Sequence, residues 1–152
     1  MNTIPLAAGK LHLVVGYDGS EPAVRALDGA VNLLLARDGA IDVVYVAHLS
    51  SLEMMSADAV AEMESGFDQI AEDLRAQAGK QLAGREERWR FMRGQGIIPE
   101  QLIAAATQIR DANPGDTVAI VVGSSSQAAH RIIGSVAVTL ARHAPVPLVI
   151  VP

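Results

Sequence analysis

The chain has 152 residues, of which 50% are hydrophobic, 3% are aromatic and none is cysteine, and its formal net charge is −5. This length and composition predict one α/β domain over residues 1–152, with a core of Val, Leu, Ile and Ala. The acidic balance argues against a nucleic-acid partner, and the lack of cysteine excludes disulfides, thiol catalysis and thiolate metal sites.

The first segments predict a strand, a helix and a second strand. LHLVVG at 11–16 is an apolar, β-branched run that ends in a turn, YDGS, at 17–20. Ser20 is expected to cap the next helix. AIDVVYVAHL at 40–49 predicts a second buried strand. The inner face of the helix is expected to carry Val24, Leu27, Val31 and Leu34.

The middle of the chain predicts a long helix and a strand with one polar face. The helix runs from about 57 to 82, with an apolar stripe at Val60, Met63, Phe67, Ile70 and Leu74. ERWRFMR at 87–93 then alternates, with Trp89 and Phe91 on one side and Arg88 and Arg90 on the other, and Gly94 and Gly96 end it. A strand with arginines belongs at an edge of a sheet whose faces are covered by helices.

The last third predicts two helices and two strands. Pro99 opens a helix, TVAIVVG at 117–123 is a buried strand, and Ser135 is expected to cap a helix that stops at Ala144. PLVIVP at 147–152 is the fifth strand. The alternation of strands and helices predicts a parallel sheet with helices on both faces.

The length of the apolar runs and the residues at the start of the sequence bear on where the protein is found in the cell. None of the runs approaches the roughly 20 residues that a membrane-spanning helix needs. The opening MNTIPLAAGK lacks the pattern of a signal peptide. We therefore expect a soluble cytoplasmic protein with no membrane partner. If the apolar fifth strand is the other edge of the sheet, its open backbone groups favour pairing with a second subunit through residues 147–151.

Two loops are candidates for a ligand site, because ligands of open α/β sheets bind beyond the carboxyl ends of the strands. YDGS follows the first strand, and GSSSQAAHRIIGS follows the fourth. The second loop offers Gly123, the hydroxyls of Ser124–Ser126, and Gly134 and Ser135 at a helix start, where free amides favour an anion. The same residues also suit a plain connection between strand and helix, and both interpretations remain open. Neither a Walker loop nor a Gly-x-Gly-x-x-Gly turn is present.

The chain as a whole resembles the universal stress protein family, which has the adenine nucleotide alpha-hydrolase-like fold. The resemblance covers residues 11–151 and is carried by three stretches: VVGYDGSEPAVRAL, VVYVAHL, and IVVGSSSQAAHRIIGSVAVTLARHAPVPLVIV. It implies a three-layer α/β sandwich with a five-stranded parallel sheet of order 3-2-1-4-5. It also implies a homodimer formed through the fifth strand.

Many members of that family bind ATP through a Gly-x2-Gly-x9-Gly-Ser/Thr loop after the fourth strand, and others do not bind it. By position, Gly123 matches the first glycine, and Gly134 with Ser135 matches the closing pair. Ser126 stands where the second glycine belongs, and ten residues separate Gly123 from Gly134, two fewer than in the pattern. A Cβ at a close backbone approach can exclude a phosphate.

The resemblance also assigns roles to residues outside the glycine pattern. Asp18 matches an aspartate that contacts the nucleotide through the ribose or a magnesium ion, and as an alternative it is a simple turn residue. Val46 lies where the second strand lines the base. Arg131, or less readily His130, is a candidate phosphate donor, although Arg131 also suits a solvated surface.

The resulting hypothesis is a dimeric stress-response sensor that binds ATP or another adenine nucleotide, with or without magnesium. The alternative is a nucleotide-free member that acts through its dimer surface. An enzyme such as a nucleotide-dependent ligase or transferase is a third reading without supporting residues, and we expect no activity beyond slow ATP hydrolysis. The four histidines lack zinc-type spacing, and no Gly-x-Ser-x-Gly elbow is present.

Overall fold

A computed structural model describes residues 9–35, 37–48, 55–125 and 133–152. Strands and helices alternate along the chain, and a short 3-10 turn, Glu86–Arg88, precedes the third strand. The elements are β1 (Leu11–Gly16), α1 (Glu21–Leu34), β2 (Gly39–Ala47), α2 (Ala57–Gln81), β3 (Trp89–Gln95), α3 (Ile98–Ala112), β4 (Thr117–Gly123), α4 (Ser135–His143) and β5 (Leu148–Val151).

The five strands form one parallel sheet of order β3-β2-β1-β4-β5. Side chains alternate between its faces: Leu13 and Val15 pack with α1 and α2, whereas Val14 packs with α3 and α4. The predicted α/β class, the strand order and the helices on both faces are confirmed. The carboxyl ends of β1 and β4 therefore lie side by side at the centre of the sheet.

The capping serines of the first two helices fix where those helices begin. The Ser20 hydroxyl accepts a hydrogen bond from the amide of Ala23 at 3.4 Å, and Ser56 does the same for Ala59 at 3.3 Å. Both bonds satisfy amides that have no partner within the helix. The cap predicted at Ser20 is confirmed, and α1 leaves the carboxyl end of β1 in a defined direction.

The apolar stripe predicted on α2 is only partly buried. Leu74 is buried, but Ile70 is 45% exposed, and Ala71 and Ala78 supply the other buried positions. A Cβ on Gly79 would be in ordinary contact with the Trp89 ring, at 3.5 Å. Small residues thus supply much of the buried face of α2, and a stripe of large side chains overestimates how much of the helix is covered.

The arginines in and just before β3 form hydrogen bonds that hold this strand at the edge of the sheet. Trp89 and Phe91 pack on the core as predicted, and Arg90 donates to the fully buried carboxylate of Asp42 at 2.7 Å. Arg88 lies in the 3-10 turn instead of the strand, and its guanidinium donates to the backbone carbonyl of Arg37 at 2.6 Å. These contacts fix an edge strand whose charged side chains also discourage pairing with another sheet.

The end predicted for the third strand was wrong, because β3 continues to Gln95. Gly94 pairs with Val46 of β2 instead of breaking the strand. A Cβ on Gly94 would lie 3.0 Å from the terminal oxygen of the flexible Gln101 side chain on α3, which places the start of α3 beside the carboxyl ends of β2 and β3.

Candidate functional site

A cavity of about 260 Å³ opens at the carboxyl ends of β1, β2 and β4. One wall is apolar and comes from β2, β4, α3 and α4, while polar atoms come from the turn after β1 and from the start of α4. The apolar wall comprises Val44, Val46, Ile98, Leu102, Val122, Val136 and Ala137. Such a cavity suits a flat apolar group with a polar extension that reaches the opening.

Five of the predicted site residues lie around this cavity. The parallel sheet brings together the turn after β1, strand β2, and the segment from the end of β4 to the start of α4. The five residues are Asp18, Val46, Gly123, Gly134 and Ser135. Ser124 is a neighbour of the lining, with its backbone N–H and C=O in hydrogen bonds. Ser126 and Arg131, like His130, lie outside the described residues.

The first turn of α4 faces the cavity, and its N-cap residue is a glycine, which has no side chain to cap the helix. Gly134, in extended conformation with φ −65° and ψ 160°, is the N-cap, and Ser135 is the first helical residue. The prediction that Ser135 caps this helix was wrong by one position, because the chain turns into the helix at Gly134. The amide of Val138 makes the first backbone bond of the helix, to the carbonyl of Gly134 at 3.1 Å. The preceding amides of α4 have no partner within the helix and lie at the cavity wall.

Position 123 requires glycine for a packing reason that the neighbouring residues in the sequence do not reveal. A Cβ at this position would be 2.1 Å from the carbonyl oxygen of Pro22 and 2.5 Å from its carbon. These are backbone atoms of the first turn of α1, and they cannot rotate away. Glycine at 123 therefore lets β4 and α1 touch, whether or not a ligand also approaches it.

Asp18 makes the contact expected of a turn residue. Its carboxylate accepts a hydrogen bond from the amide of Ser20 at 3.0 Å, which is the side-chain-to-backbone bond of a turn residue. The residue is exposed and lies at the cavity, where it is the acidic residue among the described lining. The turn thus holds a carboxylate at the opening of the cavity.

Tyr17 is a lining residue that sequence reasoning missed. Burial raises the pKa of its phenol, and the carboxylates of Asp18 and Asp28 raise it further, so the ring stays neutral at physiological pH. Its hydroxyl is buried and has no hydrogen-bond partner among the described residues. The only sequence signal was its place directly after β1, in the turn that borders the crevice.

Ile98 and Leu102 were also missed as site residues. They project from the first turns of α3, which begins immediately after β3. Their position follows from the right-handed crossover that carries α3 over the carboxyl end of β2, and spacing along the sequence does not encode it.

Metal-binding groups are absent from the part of the chain that the structure describes: no three acidic, histidine or cysteine side chains come together there. His12 lies at the amino end of β1, where its Nε2 contacts the Asp116 carboxylate at 2.8 Å. That hydrogen bond holds the pKa of Asp116 below its usual range. Within the described ranges, no helix combines the length and apolar character needed to cross a bilayer.

Comparison with known proteins identifies the fold and a family. The sequence profile of the universal stress protein family matches residues 11–152. Universal stress protein UspA from Lactobacillus plantarum superposes with a TM-score of 0.76 at 22% identity, covering 95% of this chain and 99% of that one. A search of curated protein sequences found no match.

Two further structures of the same fold carry nucleotides. A universal stress protein in complex with cAMP superposes with a TM-score of 0.63 at 22% identity, over 95% of this chain and 98% of that one. A universal stress protein family protein from Arabidopsis thaliana with AMP bound has a TM-score of 0.59 at 11% identity, over 93% and 90% of the two chains. At these identities the similarity establishes the fold.

Proposed function

The chain belongs to the universal stress protein family, and we propose that it binds an adenine nucleotide in the cavity between β1 and β4 and acts as a cytoplasmic stress-response sensor. The observation that carries the proposal is the contact between an apolar cavity and the first turn of α4, whose N-cap residue is a glycine without a capping side chain. The faces of an adenine base are flat and pack well on apolar side chains, whereas the phosphates are anionic. The apolar wall and the start of α4 match these two ends of a nucleotide.

In this proposal each lining residue has a defined role. Val46 and the neighbouring apolar side chains pack on the base, and Asp18 accepts a hydrogen bond from the ribose or holds a magnesium ion that arrives with ATP. Gly134 and Ser135 place the amides of α4 beside the phosphates, and Arg131 adds a charge-assisted donor from the loop. The cAMP and AMP complexes of the two related folds support an adenine ligand.

A second candidate is a nucleotide-free member that acts through its dimer surface. The loop itself favours it, since Ser126 replaces the second glycine of the ATP-binding pattern and the loop is two residues shorter. A Cβ and a shorter span both reduce the contact between loop and phosphates. In either case we propose a sensor or binding protein and not an enzyme, with ATP turnover that is slow at most.

Titration with nucleotide separates these candidates. We expect calorimetry with ATP and magnesium, and with AMP, to give saturable binding tighter than about 1 mM, equivalent to about −4 kcal/mol. Ser126→Gly should tighten ATP binding if the serine obstructs the phosphates. Absence of binding to both nucleotides would favour the nucleotide-free candidate, and product release at about one turnover per second or faster would favour an enzyme.

The dimer is proposed to form through β5, the edge strand beside β4. The carbonyl of Pro147 accepts a hydrogen bond from β4, and that of Val151 accepts one from the residue just after β4. The backbone groups of Leu148 and Ile150 therefore face the open edge. The strand is uncharged and only half-buried.

We expect Ile150→Pro to convert the dimer into a monomer, with a dissociation constant raised about a hundredfold. Proline removes an outward amide that β4 does not use, and a symmetric dimer loses the bond in both copies. Sedimentation velocity measures the change. The matched control is Ile150→Ala, which shortens the side chain and keeps the amide, and should remain dimeric. If Ile150→Pro is also dimeric, the interface lies elsewhere.

A further inference from the structure

Ser124, the first residue after β4, lies where the ligand loop, α1 and β5 meet. Its amide donates to the carbonyl of Val151 at the end of β5, at 2.8 Å. Its carbonyl accepts a hydrogen bond from the Arg25 guanidinium at 3.0 Å. Ser124 is buried, and its two chain neighbours, Gly123 and Ser125, both line the cavity. Movement of the cavity wall is therefore connected to the edge strand through the backbone of a single residue, Ser124.

Arg25 is the part of this junction that α1 supplies. Its Nη1 donates to Glu21 one turn earlier at 3.0 Å, and its Nη2 donates to Ser124, 99 residues later in the chain. The Nε atom is buried without a hydrogen-bond partner among the described residues. A guanidinium with one donor on its own helix and another on a buried loop carbonyl is fixed in orientation, because its donors form a rigid fork.

A simpler role for Arg25 is an ion pair on the helix surface. Glu21 and Arg25 have the spacing of such pairs, but the Glu21 side chain is 78% exposed, so solvent screens the attraction. The bond to Ser124 is different, because it connects a charged donor to the backbone of a buried residue. The two contacts can be separated by mutation, since Glu21 does not touch the loop in any described contact.

We propose that Arg25 is a positioning residue that holds Ser124 between α1 and β5, and so transmits occupancy of the cavity to the edge strand. The inference rests on the proposed nucleotide site for its ligand. A nucleotide that draws Gly123 and Ser125 toward its phosphates pulls on the two peptide groups that flank Ser124, one bonded to Val151 and the other to Arg25. Because coupling free energies are reciprocal, a partner that fixes β5 also changes the affinity for nucleotide.

The test compares wild type with Arg25→Met, which removes the guanidinium and keeps an unbranched chain, and with Glu21→Gln as the matched control. Amide hydrogen exchange at Ser124 measures the bond to Val151 with and without ATP and magnesium. We expect ATP to slow exchange at Ser124 about fivefold or more in wild type and in Glu21→Gln. Arg25→Met should exchange faster without ATP, bind ATP about tenfold more weakly, and lose most of the ATP effect. Arg25→Lys, which retains one donor for the carbonyl, should recover part of it.

The outcomes separate this inference from the proposed function. If Arg25→Met matches Glu21→Gln both in exchange at Ser124 and in ATP affinity, the positioning role is wrong although ATP still binds. If wild type binds no ATP, the nucleotide site is wrong, and exchange in the ligand-free proteins still decides whether Arg25 holds Ser124. Thermal unfolding of each variant identifies any general loss of structure.

Discussion

Gly123→Ala is expected to lower the free energy of unfolding by about 3 kcal/mol, with or without nucleotide. The new Cβ would lie 2.1 Å from the Pro22 carbonyl oxygen and 2.8 Å from the Pro22 Cα. Since the obstructing atoms are backbone, the clash is relieved only if α1 moves away from β4. That movement disturbs the core at the buried residues Ala23 and Ala26 of α1.

Urea unfolding followed by circular dichroism measures this effect, and two other glycines provide controls. A Cβ on Gly134 would meet its nearest neighbour, the Cβ of Ser125, at an ordinary 3.7 Å, and a Cβ on Gly66 would meet nothing within 4 Å. Gly134→Ala should therefore change stability by less than about 1 kcal/mol, and Gly66→Ala, within α2, should raise it by up to about 1 kcal/mol. Wild-type stability in Gly123→Ala would show that α1 and β4 adjust freely.

This result would change how a binding defect at the loop is interpreted. Gly123 matches the first glycine of a nucleotide-binding pattern, so a loss of affinity on substitution invites the conclusion that it contacts phosphate. The distance to Pro22 predicts the same loss from a shifted α1. Substitutions at Gly134, where space is available, are the better probe of the ligand.

The fold was predictable because the spacing of apolar residues and the residue types of each segment indicate the same secondary structure along the chain. Leu13, Val14 and Val15 are all buried since helices cover both faces of β1, and continuous apolar runs are typical of such strands. Trp89 and Arg90 alternate because β3 is an edge strand with one face on the core. Arginines in a strand therefore indicate an edge position from the sequence alone.

The details of the site were less predictable because they depend on contacts between distant segments. The need for glycine at 123 comes from Pro22, and Ser124 is held by Arg25 and Val151. Neither contact can be recognised from the residues that are neighbours in the sequence. The N-cap residue of α4 was predicted wrongly for a different reason. Gly134 and Ser135 are both acceptable N-cap residues, and the direction from which the chain enters the helix decides between them.

The open N-terminus of α4 leads to the second large effect. Gly134→Asp should raise the free energy of unfolding by about 0.5–1 kcal/mol and weaken nucleotide binding at least about a hundredfold. The backbone of Gly134 is already extended, with φ −65° and ψ 160°, and any residue can adopt it. The new carboxylate would cap the first amides of α4 and occupy the place proposed for a phosphate.

Opposite signs for stability and affinity distinguish this mechanism from simple damage to the site. Gly134→Asn is the matched control, because it offers a similar cap without charge; it should stabilise α4 and weaken binding less than Asp does. Chemical unfolding and calorimetric titration with ATP measure the two quantities on the same samples. If Gly134→Asp stabilises the protein and binds ATP as tightly as wild type, the phosphates do not use the N-terminus of α4, because a carboxylate and a phosphate cannot share those amides without strong repulsion.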